Sequence, residues 1–278
     1  MKPLSLGRTG KVVRHAVLIA TTLFALVPFV WMLSLSIKPS GEIFQRHFHL
    51  LPGNLSGLKN YAIVFASAPM LRFLFNGVLV CGAIFLLQLL VCIPCAYALA
   101  KLRFHGKDAL FSATLVALLI PPQVLSVPHF ILLYYTHLLD SYGALILPWI
   151  YSAFGVFLLR QFFRTIPDEL IQAAQLDGMG ETEIIWRIMI PMSGPAIAAF
   201  GIFSVVSHWN DLFWPLIALH RMELSTPALG ILLFNDDEFG QQFGPLMAAT
   251  TVIVAPLIVA FLMAQRRFID GLTIQTTQ

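Results

Sequence analysis

The chain has 278 residues, of which 58% are hydrophobic and only 11% are charged. Ordinary soluble domains carry about 25% charged residues, so this sequence lacks the polar side chains that would clothe a soluble protein of its size. A formal net charge of +3 is too small to argue for nucleic acid, and the three cysteines give no disulfide framework.

Crossing the hydrocarbon of a bilayer takes about 20 apolar residues in a helix. In chain order, six stretches reach or approach that length: 15–37, 73–100, 109–135, 143–159, 192–219 and 245–264. The first follows Lys2, Arg8, Lys11 and Arg14, as the core of a signal peptide would. It is too long for one and no small-residue cleavage site follows, so it reads as a retained helix. The second holds all three cysteines. Cys92 and Cys95 form a C-x-x-C, but with no polarising neighbour they read as packing residues. The third carries the Pro121-Pro122 pair, and the fourth is short enough to need its flanks. The fifth contains Asp211, the one Asp, Glu, Lys or Arg in any of the six. Continuous apolar runs without alternation exclude a strand barrel. The expected fold is all-α, with six transmembrane helices.

Lysine and arginine set the orientation. Segments 1–14, 101–108, 160–191 and 265–278 hold twelve basic residues, against five in the alternate set. Both termini are therefore expected in the cytoplasm, with loops 38–72, 136–142 and 220–244 outside.

The segment 160–191 is too long for a structureless connector. Pro167 followed by Asp168 and Glu169 is a helix start, with acids at the positive end of the dipole. Leu170, Ala173, Ala174 and Asp177 fall on one face at helical spacing, and Gly178 and Gly180 stop the helix. A second helix is expected from about Glu181 to just before Pro191. The small side chains of Ala173 and Ala174 would let another surface approach closely. Equally, the helix could be a linker packed on its own bundle.

The run Gln172-Ala173-Ala174-Gln175-Leu176-Asp177-Gly178, with Ile190-Pro191 after a fixed gap, resembles the "EAA" loop of binding-protein-dependent importer permeases. Gln172 stands where that family usually has Glu. Tyr97 to Lys107 is similar to the family's second helix end and short basic loop. Trp209-Asn210-Asp211-Leu212-Phe213-Trp214-Pro215-Leu216 is similar to a stretch typical of the carbohydrate branch. Residues 265–273 resemble the end of maltose- and glycerol-3-phosphate-type permeases.

The resemblance implies an inner-membrane, multi-pass permease subunit of an ATP-binding-cassette (ABC) importer, with the type I permease fold, non-catalytic itself. It implies that Gln172, Ala173, Ala174, Asp177, Gly178 and Pro191 belong to the coupling loop that docks on an ATPase. The implied partners are a second, homologous permease in a heterodimer, two ATPase subunits and an external solute-binding protein. ATP and Mg would be used by the ATPase, with no cofactor and no metal on this chain. The expected organisation is 1–70 for the first helix and its outward loop, 71–266 for the permease core, and 267–278 for a tail. By the same resemblance the tail touches the ATPase dimer, and Asn235, Asp236, Asp237 and Glu238 lie on a loop that reaches into the binding protein.

No G-x-x-x-x-G-K-[S/T], H-E-x-x-H or G-x-S-x-G occurs, so these motifs offer neither a phosphate loop nor catalytic machinery. An ion-gradient carrier is the alternative, with Asp211 as its ionisable group and His129 and His208 in support. A polyol crossing an apolar bundle needs hydrogen-bond partners and aromatic faces. His208, Trp209, Asn210, Asp211 and Trp214 supply both within a turn and a half. Asn76, Gln88 and Gln123 are further polar groups at depth. These residues either line a path or bridge neighbouring helices.

Overall fold

The computed structural model describes residues 8–43, 49–50, 52–53, 55–234 and 243–274, with the backbone alone at 8–9, 40, 55 and 264–274. Helices make up nearly all of it, and no strand occurs among the described residues. Three helices cross a membrane's thickness unbroken: Gly10–Ser36 within α1 (Arg8–Ser36), α3 (Met70–Lys101), and Phe243–Met263 within α12 (Phe243–Ile274). Three further spans are bent pairs. Lys107–Ala117 and Pro122–Tyr135 meet at 99°, Tyr142–Trp149 and Ala153–Thr165 at 43°, and Glu181–Met192 and Gly194–Trp209 at 79°. Counting each pair once gives six spans.

Two compact units partition the chain. One comprises 1–68 and 231–254, the other 69–230 and 255–278. In the first unit, α1 leaves Leu23, Phe24 and Val27 exposed. A soluble protein does not display such a run; lipid is the solvent that suits it. After α1 the chain turns back through α2 (Lys59–Ser67). Asn60 Nδ2 donates to Ser36 O and Lys38 O, both at 3.0 Å, satisfying carbonyls that the end of α1 leaves open.

The second unit is built around α3, whose largest contact is with α7 (Ala153–Thr165). Its C-terminal half enters an apolar cluster with Val156, Leu159, Phe163, Ile171, Ile184 and Met189. Its N-terminal half packs with Leu133, Ala144, Leu145, Trp214 and Ala218. Close approach is set by glycines. A Cβ on Gly77 would lie 2.6 Å from Pro227, and one on Gly155 would lie 2.5 Å from the Phe200 ring.

Several boundaries differ from the sequence expectation, each for a local reason. The fourth apolar stretch ends at Leu159 in sequence, yet α7 runs on to Thr165. Arg160 does not end it because Arg160 Nε donates to Leu99 O at 3.0 Å and its guanidinium lies 3.5 Å over the Phe111 ring. The third stretch breaks between α4 (Lys107–Ala117) and α5 (Ser126–Tyr135). Pro121 and Pro122 have no N–H to continue the ladder, and a residue before proline avoids helical geometry. The fifth breaks at 210–212, between α10 (Gly194–Trp209) and α11 (Phe213–Ala218).

We expect Gly155→Val and Gly77→Val to destabilise the detergent-solubilised protein by about 1–3 kcal/mol, the usual cost of overpacking. Gly82→Ala, where a Cβ meets nothing within 4 Å, should leave the thermal midpoint unchanged or higher.

Candidate functional site

The segment whose sequence resembles a coupling loop comprises α8 (Asp168–Leu176) and α9 (Glu181–Met192). Helix α8 closes with Gly178 N–H on Gln175 O and Met179 N–H on Ala174 O, both at 3.0 Å. This pair of bonds needs a left-handed residue after the helix, and Gly178 has φ +83°. Helix α9 does not stop before Pro191 as its sequence suggested. It passes through a π turn, Ile185–Met189, and continues to Met192. The wider turn accommodates the donor that Pro191 lacks, and Ser193 N–H closes on Met189 O at 3.1 Å.

Of the face read from sequence for α8, Leu170, Ala173 and Asp177 are exposed and Ala174 alone turns inward. Ile171 and Ala174 point into the apolar cluster, while Glu169, Gln172, Ala173 and Asp177 are exposed. Ala174 therefore roots the helix and Ala173 displays it. Leu176 is 89% exposed, on the same outward side as Gln172 and Ala173.

Two clamps hold α8 against the end of α3. Lys101 Nζ donates to Ile166 O at 2.6 Å and to Asp168 Oδ1 at 2.5 Å. Lys101 is nearly buried and Asp168 mostly exposed. At the other end Glu181 accepts from both Tyr97 OH (2.5 Å) and Gln175 Nε2 (3.1 Å). Beside them Lys107 Nζ donates to Ala100 O and Leu102 O at 3.2 and 2.8 Å. Sequence reading did not find these clamps. Asp168 and Glu181 looked like helix-start acids, and Tyr97 and Lys101 like parts of a motif. The partners on α3, Tyr97 and Lys101, lie more than 60 residues away along the chain, and no local pattern signals that.

The second element is a cavity of about 410 Å³. Six of the polar or aromatic residues picked from sequence line it: Gln123, His129, His208, Asn210, Asp211 and Trp214. Ser126, Trp149 and Ser207 join them. Trp149 is the hub of its rings, at 6.0 Å from His129, 5.6 Å from His208 and 6.5 Å from Trp214, all edge to face. Trp214 Nε1 donates to Ala144 O at 2.9 Å, and Asp211 Oδ1 accepts Trp214 N–H at 3.2 Å, capping α11. His208 Nδ1 lies 2.7 Å from Ser204 O. His129 Nδ1 is a buried side-chain atom with no hydrogen-bond partner.

Asn76, Gln88 and Trp209 lie outside the cavity wall. Asn76 donates to Glu223 O and Ser225 O at 2.9 Å and accepts from Tyr142 OH at 2.7 Å. Gln88 donates to Trp149 O at 2.9 Å and accepts from Ser204 Oγ at 2.6 Å, and Trp209 is buried near Gly77. Asn235, Asp236, Asp237 and Glu238 fall outside the described residues. Among the described residues no group of three or more His, Cys, Asp or Glu could hold a metal ion.

Continuous and bent apolar spans, a polar cavity in the second unit and a displayed short helix define a membrane transport protein. The chain belongs to the family described as binding-protein-dependent transport system inner membrane component, which it matches over residues 3–273. It is 33% identical to the arabinooligosaccharides transport system permease protein AraQ of Halalkalibacterium halodurans, over 90% of each chain. It is 32% identical to the sn-glycerol-3-phosphate transport system permease protein UgpE of Yersinia pestis bv. Antiqua, over 93% of this chain and 94% of that one. It is 30% identical to the diacetylchitobiose uptake system permease protein NgcG of Streptomyces coelicolor, over 95% of this chain and 87% of that one. A solved bacterial ABC transporter that imports the acidic polysaccharide alginate shares the fold, with a TM-score of 0.81 over 95% of this chain and 99% of that chain at 23% identity.

The chain is thus a multi-pass membrane permease subunit of an ABC importer. Such a subunit transports without catalysing, and works with a partner permease, an ATPase and a solute-binding protein. Nothing in the comparisons supports an ion-gradient carrier.

Lys101→Met removes a donor to two acceptors, whereas Asp168→Asn leaves the bond to Ile166 O. Hydrogen exchange at 169–176 should therefore rise more for Lys101→Met. The ammonium of Lys101 holds the Asp168 carboxyl below the usual carboxylate range. A depressed folded pKa stabilises above the unfolded value, about 3.9. Corrected protection of α8 should be flat from pH 5 to 8 and fall only in acid below about pH 4.

Proposed function

We propose that the chain forms half of the translocation path for a sugar or related polyol and couples it to ATP hydrolysis in a partner. The observation that carries this reading is the two-sided α8: rooted through Ile171 and Ala174, clamped at both ends to α3, and displaying Leu176 with Ala173 to solvent. A leucine so exposed at the end of a rigidly held helix suits a socket on another protein. Gln172, Asp177 and Gly178 border the same contact. Pro191 shapes α9 behind it. Gln172, in place of the family's usual Glu, presents an uncharged group to that socket.

The sugar assignment draws on the arabinooligosaccharide and diacetylchitobiose relatives and on a cavity that joins hydroxyls, amides and indoles. The assembly we propose is a heterodimer with a second permease, two ATPase subunits that use ATP and Mg, and an external binding protein met by the loop at 235–238. Both termini lie in the cytoplasm in this reading, because basic residues concentrate on that set of segments. Asp140 then marks the outer side. It accepts the backbone N–H groups of His220 and Arg221 at 3.0 and 2.9 Å and pairs with Arg221 Nε at 2.8 Å. These donors hold its carboxyl below the usual range.

Leu176→Glu should abolish co-purification of the ATPase, or lower solute-stimulated ATP hydrolysis roughly tenfold or more, with an unchanged thermal midpoint. Ile171→Glu should instead lower the midpoint. Retained ATPase binding in Leu176→Glu would overturn the docking assignment. For topology, a cysteine at His137 should react with an impermeant maleimide on intact cells and one at His105 should not; the reverse pattern would invert the orientation.

A further inference from the structure

We infer that the cavity walled by Trp149, Trp214, His129, Asn210 and Asp211 is a solute-binding site of this subunit, selective for uncharged polyhydroxy solutes over anionic ones. The inference rests on the transport reading above and deepens it, since the relatives span neutral and anionic cargoes.

Three observations carry it. First, the cavity is of the size and character of a small-molecule site. Its volume is about 410 Å³, and it joins aromatic faces with a few convergent polar groups. Second, the His129 ring sits in the wall of the cavity, with Trp149 and Trp214 edge-on at 6.0 and 5.8 Å. Its Nδ1 is buried with no partner, so that atom does not tie the ring down, and the edge of the ring that faces the cavity is what meets a hydroxyl, which both donates and accepts. Third, the wall's charges are one-sided. Among the described residues no lysine or arginine lines the cavity, and Asp211 does. An anionic solute would shed its water with no cation to receive it and a carboxylate nearby. A neutral sugar meets no such penalty, because amide, carboxylate and hydroxyl groups all bond to its hydroxyls.

The bland alternative is that Asp211 only caps α11 and the rings only pack. It explains Trp214 N–H on Asp211 Oδ1. It leaves the open volume without an occupant.

The test uses this chain in its complex with the partner permease and ATPase, held in nanodiscs with no binding protein, so that the cavity alone selects. Tryptophan fluorescence reports titration with two matched pairs: galactobiose against digalacturonate, and cellobiose against cellobiuronate. We expect saturable quenching by at least one neutral member and at least tenfold weaker binding of its uronate. Trp149→Phe should remove most of the signal. His129→Phe should weaken binding tenfold or more, His129→Gln less so, and Asp211→Asn should narrow the gap between neutral and uronate members. ATPase co-purification and the thermal midpoint, followed in each variant, report folding.

Equal or tighter binding of a uronate, no binding by any member, or unchanged affinity in a folded His129→Phe would each overturn the inference. Loss of the ATPase from the unmutated complex would be failure of the transport reading instead, and it is scored separately from the titration.

Discussion

Lipid cannot hydrogen-bond a peptide group, so every break in a helix within the bilayer must be closed by the protein itself. This chain bends three of its six spans, and side chains take up backbone carbonyls beside one of the bends and in the neighbouring helices and loops. Gln88 on α3 donates to Trp149 O in the gap before α7, and Asn76 on the same helix holds Glu223 O and Ser225 O. Trp214 reaches Ala144 O. At the lower end of α3, Arg160 and Lys107 take up the carbonyls of Leu99, Ala100 and Leu102. The unbroken α3 thus acts as a mast to which the broken spans are tied.

The same constraint places both functional elements. The cavity lies between the 118–125 turn and the 210–212 gap, two places where helices stop and where polar groups and ring edges collect. Helix α8, the proposed coupling helix, lies where the last carbonyls of α3 are capped by cations, and Lys101 extends that cap to Asp168. A pull on α8 would therefore be felt first at the end of the mast and at α9, through Glu181 and Tyr97. A helix held through buried groups on one side transmits displacement better than a free loop.

Much of this was legible in the sequence. Runs of apolar residues located the spans because burial in lipid depends on composition alone. Pro167, Asp168 and Gly178 located α8 because caps are local chemistry. Asn210 and Asp211 stood out because polar groups in such a run are costly. Of the face read for α8, Leu170, Ala173 and Asp177 are exposed and Ala174 alone turns inward, because the Phe163 and Ile184 cluster that receives it is assembled from distant parts of the chain. The end of α7 was misplaced because a charge at Arg160 reads as a membrane boundary until Leu99 O and the Phe111 ring are seen to receive it. Ser126, Ser207 and Trp149 escaped notice because membership of a cavity depends on the bends, and a bend of 99° at Pro121-Pro122 is not encoded in hydropathy.

The central claim is that this subunit moves solute only when an ATPase acts on it. Its most direct test is uptake into proteoliposomes holding this chain with its partner permease and ATPase, with the binding protein and solute on the side of loop 136–142. We expect uptake to require ATP and the ATPase and to be indifferent to proton or sodium gradients. Uptake by the permeases alone, driven by an ion gradient without the ATPase, would contradict the account.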